Sequence, residues 1–158
     1  MQPKPLKVYL DTSIFNFAIS TQDVATEKEV TNRFLNELKS GRFFGYVSAI
    51  VLREIHDTTN KQRREDLLKF LGQFELEALS QTEEADLLAE RYIQEKIIPE
   101  KHLDDALHIA IASVHNLDVI VSWNFAHMVK FKTRREVQGI NTMMGYKIIE
   151  ICTPQEVL

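Results

Sequence analysis

The sequence predicts an α/β domain, a three-layer α/β/α sandwich around a mostly parallel central sheet. Three observations carry this reading. Short apolar runs of β-formers at 6–10, 43–48 and 118–122 alternate with longer amphipathic stretches. Two of these runs end at hydroxyl residues placed to cap a helix, Thr12 or Ser13 after the first and Ser48 after the second. Residues 106–113, ALHIAIAS, are almost wholly apolar and small, the composition of a helix lying close against a sheet.

Each element can be justified in turn. Residues 12–20 read as a short helix or turn on the first strand, with Phe15 and Phe17 as packing residues. From about 24 to 39, Val30, Phe34, Leu35 and Leu38 recur at helical spacing, and Gly41 suits the left-handed residue after a helix. The strand 43–48 leads through Ser48 into a helix opening AIVLREI. Residues 60–71 form another amphipathic helix, broken at Gly72, and 74–79 alternate like a strand exposed on one face. Thr82 caps a helix whose first turns hold Glu83, Glu84 and Asp86, favourable charges for the helix dipole. That helix ends by Ile98-Pro99, and a buried helix runs from about 102 to 113. After the strand 118–122, the pattern predicts a last helix over 136–144, closed by Gly145, and a last strand over 146–151. Thr153-Pro154-Gln155-Glu156 resembles a capped helix start.

Composition narrows the function classes. A chain of 158 residues suits one domain able to bury a sheet with helices on both faces. The net charge of −4 argues against a protein that coats nucleic acid non-specifically. No run of about 18 apolar residues occurs, so no membrane span is expected. No apolar core of the kind a signal peptide needs stands behind Met1-Gln2-Pro3-Lys4-Pro5, so no signal peptide is expected. Cys152 is alone, which excludes an internal disulfide and fits a reducing, cytoplasmic location.

The chemistry lies in the acids. Asp11 stands just beyond the first strand, where ligands sit in open parallel sheets. Glu54 lies among Ile50, Val51, Leu52 and Ile55; either it pairs at the surface with Arg53 or a nearby lysine, or it is a buried acid with a task. Asp104 and Asp105 open the buried helix; both can serve the helix dipole, or one can point into a site, since adjacent residues do not share a helix face. Asp11, Glu54 and Asp105 are expected to converge at one sheet edge. Three carboxylates there repel, and such oxygen donors suit Mg²⁺ or Mn²⁺ better than zinc. A cation so held lowers the pKa of a bound water and clamps a phosphodiester. His108, four residues after Asp104, is expected to pair with it rather than bind metal. Lys130, Lys132, Arg134 and Arg135 form a basic patch that is either a solvated loop or a phosphate-positioning surface. Position 13 is serine, against an aspartyl-phosphate phosphatase, and no glycine-rich nucleotide loop is present.

Taken together, YLDTSIF, the acid in VLREI, and DDALHIAIA followed by VIVSWNFAH resemble a PIN domain, in the branch that includes the VapC-type toxins. The resemblance runs from residue 8 to 151. It implies a compact α/β/α sandwich and a Mg²⁺- or Mn²⁺-dependent endoribonuclease. Metal would be held by Asp11, Glu54 and Asp105, with Thr12, Ser13 and Ser122 as hydroxyl neighbours beside the substrate. It also implies RNA as substrate, a small antitoxin protein as partner, and a homodimer. The chain departs at the fourth acidic position: Ser122-Trp123-Asn124 stands where many relatives have an aspartate, and His127 follows where an acid is also often found. That implies one tightly held metal, with Asn124 orienting a water or phosphate. A PIN-fold RNA- or protein-binding scaffold whose catalysis has lapsed is the alternative.

Overall fold

A computed structural model describes residues 3–158; Met1 and Gln2, part of the stretch read as lacking a signal peptide, lie outside it. Five strands run in chain order: β1 (Leu6–Leu10), β2 (Phe43–Ser48), β3 (Leu76–Leu79), β4 (Val119–Val121) and β5 (Glu150–Cys152). They form one sheet of order β3-β2-β1-β4-β5, and every pairing is parallel. The sheet expected to be mostly parallel is parallel throughout. Val8, Tyr9 and Leu10 point alternately to opposite faces, yet none is exposed, so helices cover both faces. No helix among the described residues is long and apolar enough to cross a membrane.

The helices are α1 (Thr12–Ala18), α2 (Ala25–Lys39), α3 (Ala49–His56), α4 (Lys61–Leu71), α5 (Glu83–Gln94), α6 (Leu103–Val114), α7 (Phe131–Met143) and α8 (Pro154–Val157), with a 3₁₀ turn at Glu100–His102. Ser48, Thr82 and Thr153 accept backbone N–H groups at their helix starts, and Thr153 forms a full capping box with Glu156. Gly41 and Gly145 adopt φ of +88° and +86°. Each closes a helix with paired backbone bonds: Arg42 N–H to Glu37 O and Gly41 N–H to Leu38 O after α2, Tyr146 N–H to Asn141 O and Gly145 N–H to Thr142 O after α7.

Three expectations are corrected. Thr12 and Ser13 do not cap α1: Asp11 is the cap residue, without a side-chain cap bond, and all three side chains are used in the site. The last helix begins at Phe131, not near 136. Thr133, Val137, Ile140 and Asn141 supply its buried stripe, and two of these four are polar, which hid the period. The last strand is Glu150–Cys152, because Tyr146 is still bonded into the helix closure.

Strand order fixes where a site can form. From β1 the chain builds outward through β2 and β3, then crosses to the other side of β1 with β4 and β5. The direction of winding therefore switches between β1 and β4, and their carboxyl ends flank a crevice. Asp11 and Ser122 follow those two ends directly.

Candidate functional site

Asp11 is buried beneath this crevice at 4% exposure. Ser13 Oγ donates to its Oδ1 at 2.5 Å and Ser122 Oγ donates to its Oδ2 at 2.6 Å. Both serines are themselves held, for Ser13 Oγ accepts from Trp123 N–H at 2.9 Å and Ser122 Oγ from Asn124 N–H at 2.9 Å. The turn after β4 is thus tied to the end of β1 through one carboxylate.

Glu54 reaches the same edge from α3. Thr12 Oγ1 donates to its Oε1 at 2.8 Å, and His108 Nε2 lies 2.6 Å from the same oxygen. His108 is only 2% exposed, and its Nδ1 lies 2.6 Å from the Tyr9 hydroxyl, which is 2.7 Å from Ser48 Oγ. A hydrogen-bonded line therefore runs Ser48–Tyr9–His108–Glu54, from the interior to the acid edge. The expected pairing of His108 with Asp104 is not found. Asp104 is taken by Arg53 in an exposed ion pair, while the histidine ring is directed inward to Tyr9 and Glu54. The same Arg53–Asp104 contact removes the surface partner considered for Glu54. Asp104 and Asp105 do have different tasks, since Asp105 bonds to the Asn124 side chain and approaches His102, with Oδ2 3.9 Å from Nδ1.

The electrostatics follow from burial and from His108. Burial pushes the Asp11 carboxyl above its ordinary value despite His108 and the two serine hydroxyls, and Glu54 adds repulsion. Asp105 is likewise pushed up, by burial first and by Glu54, against the Asn124 bond. Burial would raise Glu54 too, but the His108 hydrogen bond and charge, with Thr12 and Arg53, bring it below its ordinary value. Burial alone would lower His108; the Glu54 bond and the charges of Asp11, Glu54 and Asp105 outweigh it and raise it. The three acids thus favour protonation of His108, against its burial.

No protein-family model and no curated protein matches the chain. Solved structures do. VapBC2 from Rickettsia felis, bound to a DNA fragment from its promoter, is similar over 75% of this chain and 89% of that one, with a TM-score of 0.56 and 20% identity. VapBC-5 from Mycobacterium tuberculosis, of the VapBC family of toxin–antitoxin systems, is similar over 94% of this chain and 99% of that one, with a TM-score of 0.52 and 16% identity. The chain has a PIN-like fold.

In this PIN-like domain Glu54 repels both Asp11 and Asp105, but the oxygens of the three carboxylates do not all come within 4.8 Å of one another. Thr12, Ser13 and Ser122 are beside them, with hydroxyl protons given to the acids. Asn124 Oδ1 accepts the backbone N–H of His127 at 3.0 Å, and its side chain favours the ionised form of Asp105. The basic patch divides. Lys130 is close enough to act on His127, whereas Lys132 pairs with Glu136 at 3.1 Å and Arg134 with Glu156 at 3.7 Å. Arg134 and Arg135 line a groove with Phe131, Cys152 and Glu156 along β5. The patch lies on the first turns of a helix and not on a loop.

Sequence reasoning missed the roles of Tyr9 and His102. Tyr9 passed as one more apolar strand residue, and its polar end was not counted. His102 precedes Asp105 by three, the spacing that puts two helical side chains together, and that signal was available.

The donor set fits a hard divalent cation. Asp11 is a buried carboxylate whose side-chain hydrogen bonds come from the Ser13 and Ser122 hydroxyls, with no lysine or arginine ion pair among the described residues. Each of its oxygens accepts one hydroxyl and keeps a further lone pair. Glu54 has both recorded bonds on Oε1, which leaves Oε2 open.

Proposed function

We propose that the chain is a Mg²⁺- or Mn²⁺-dependent endoribonuclease, the toxin of a toxin–antitoxin pair. The observation that carries this reading is Asp11, buried at the winding switch of a PIN-like sheet with serine hydroxyls on both oxygens, and Glu54 near enough to repel both it and Asp105. Asp11, Glu54 and Asp105 would hold the metal, which when bound lowers the pKa of water and neutralises a phosphodiester oxygen. Ser13, Ser122 and Thr12 fix the carboxylate rotamers, so that little reorganisation is needed when the cation and substrate arrive. His108 holds Glu54 through Oε1 and leaves Oε2 to the site. Asn124 orients Asp105 instead of adding a fourth charge.

The toxin assignment is supported by the toxin–antitoxin structures that share the fold. A small antitoxin protein is the corresponding partner, and a homodimer the corresponding assembly. The catalytically lapsed scaffold is the weaker reading, because such a scaffold has no need of a buried Asp11 with no lysine or arginine ion pair among the described residues.

The test is cleavage of a panel of structured RNAs by the purified chain with Mn²⁺, and with EDTA. Metal-dependent, site-specific cuts are expected; RNA binding without cleavage at any metal concentration would favour the scaffold. Within that assay the basic residues should separate. Lys130→Ala is expected to weaken RNA affinity and to reduce its salt dependence by about one released counterion. Lys132→Ala should do less, since Glu136 already occupies it. Equal effects from the two would return the whole patch to a phosphate-binding surface.

A further inference from the structure

Beside the acid trio lies a second group with different chemistry. His102 and Asp105, at the start of α6, meet His127 from the turn after β4. One ligand atom from each residue lies within 4.8 Å of the others. The two imidazole rings stand face to face, with centroids 3.9 Å apart and planes tilted by 31°. We propose that His102, Asp105 and His127 form a binding site for a divalent first-row transition ion of the Zn²⁺ or Co²⁺ type, distinct in chemistry from the all-oxygen site of Asp11 and Glu54.

Two imidazoles and one carboxylate suit zinc, cobalt, nickel and iron(II), and are a poor match for magnesium, which prefers oxygen and keeps its water. Three protein ligands leave a coordination position open to water or substrate. Zinc–nitrogen bonds of about 2.0–2.1 Å place tetrahedral ligand atoms about 3.3 Å apart, so the three side chains must close by about 1 Å. All three are half-buried.

The turn that carries His127 is fixed, since Asn124 Oδ1 accepts the backbone N–H of His127 at 3.0 Å.

The inference shares Asp105 with the proposed catalytic site but does not require that the chain cleave RNA. Its test is therefore binding. Zn²⁺ is titrated calorimetrically into the full chain in millimolar Mg²⁺, and Co²⁺ is followed by its visible absorption. One Zn²⁺ should bind despite the Mg²⁺. His102→Ala with His127→Ala should weaken it on the order of 100-fold and abolish the Co²⁺ bands, since loss of a direct ligand costs no less than loss of an outer partner. Asp11→Asn should leave Zn²⁺ affinity within a few-fold. Should the double variant melt early, His102→Gln and His127→Gln singly give the same reading at half-exposed positions. Zn²⁺ binding no tighter than Mg²⁺, or unaltered in the histidine variants, overturns the site. Absence of RNA cleavage with Zn²⁺ still bound overturns only the nuclease reading.

Discussion

Asp11→Asn is expected to reduce Mn²⁺-dependent RNA cleavage by about 10³-fold or more, while leaving the metal-free protein as stable as before or more so. The first half follows from removing a metal-holding charge at the centre of the site. The second follows from burial. Asp11 is buried with no lysine or arginine ion pair among the described residues, and burial disfavours its charged form, pushing its pKa above the ordinary value. Asparagine keeps the shape, and Ser13 or Ser122 can turn its hydroxyl to accept from the new amide. Melting temperatures in EDTA and in millimolar Mn²⁺ check this directly. Wild type should gain on adding Mn²⁺, because a ligand that binds only the folded state stabilises it by mass action, and the variant should gain little. A variant that is strongly destabilised in EDTA would make Asp11 a structural residue, and the cleavage loss would then say nothing about metal.

The second large effect concerns His108. His108→Ala removes a buried side chain, leaves the Tyr9 hydroxyl without one of its two partners, and takes the cation from three acids. A cost of about 2–4 kcal/mol is expected, equivalent to a fall in melting temperature of about 5–15 °C for a domain of this size. The loss should depend on pH with a definite sign. Because the folded state raises the His108 pKa, the histidine's contribution is fully present below its ordinary value and is lost as pH rises through the raised one. Glu54 has the opposite form: its lowered pKa gives stability above its ordinary value that is lost as pH falls through the folded one. The difference between wild type and variant should therefore be largest in the mildly acidic range and shrink toward both extremes. A difference that stays level from about pH 5 to about pH 9 would mean that His108 is neutral throughout. Asp11→Asn should recover part of the lost stability, since it removes one of the charges that the imidazolium balanced.

The fold was legible because its signals are local. Helix caps at Ser48, Thr82 and Thr153 and the left-handed closures at Gly41 and Gly145 are each set by a few neighbouring residues. The start of α7 was not legible, since Thr133 and Asn141 occupy buried positions that hydrophobic periodicity cannot recognise. In the site, the acids could be named one by one, but their connections could not. That Arg53 holds Asp104 depends on how α3 lies against α6, and that frees His108 for Glu54. The polar end of Tyr9 has meaning only once Ser48 and His108 are beside it, 39 and 99 residues away.

Those separations have a consequence for synthesis of the chain. The first 100 residues encode β1, β2 and β3 with the helices between them, yet Asp105 and the Ser122 that fixes Asp11 are still to come. The bond between Asp11 and Ser122 spans 111 residues, and β4, which brings Ser122 into place, lies between β1 and a β5 that ends at Cys152. A nascent chain emerging at about 5–20 residues per second therefore carries an incomplete acid cluster until β4 has emerged and paired with β1. A chain with the proposed activity would thus stay inert beside abundant RNA through the synthesis of its first three strands.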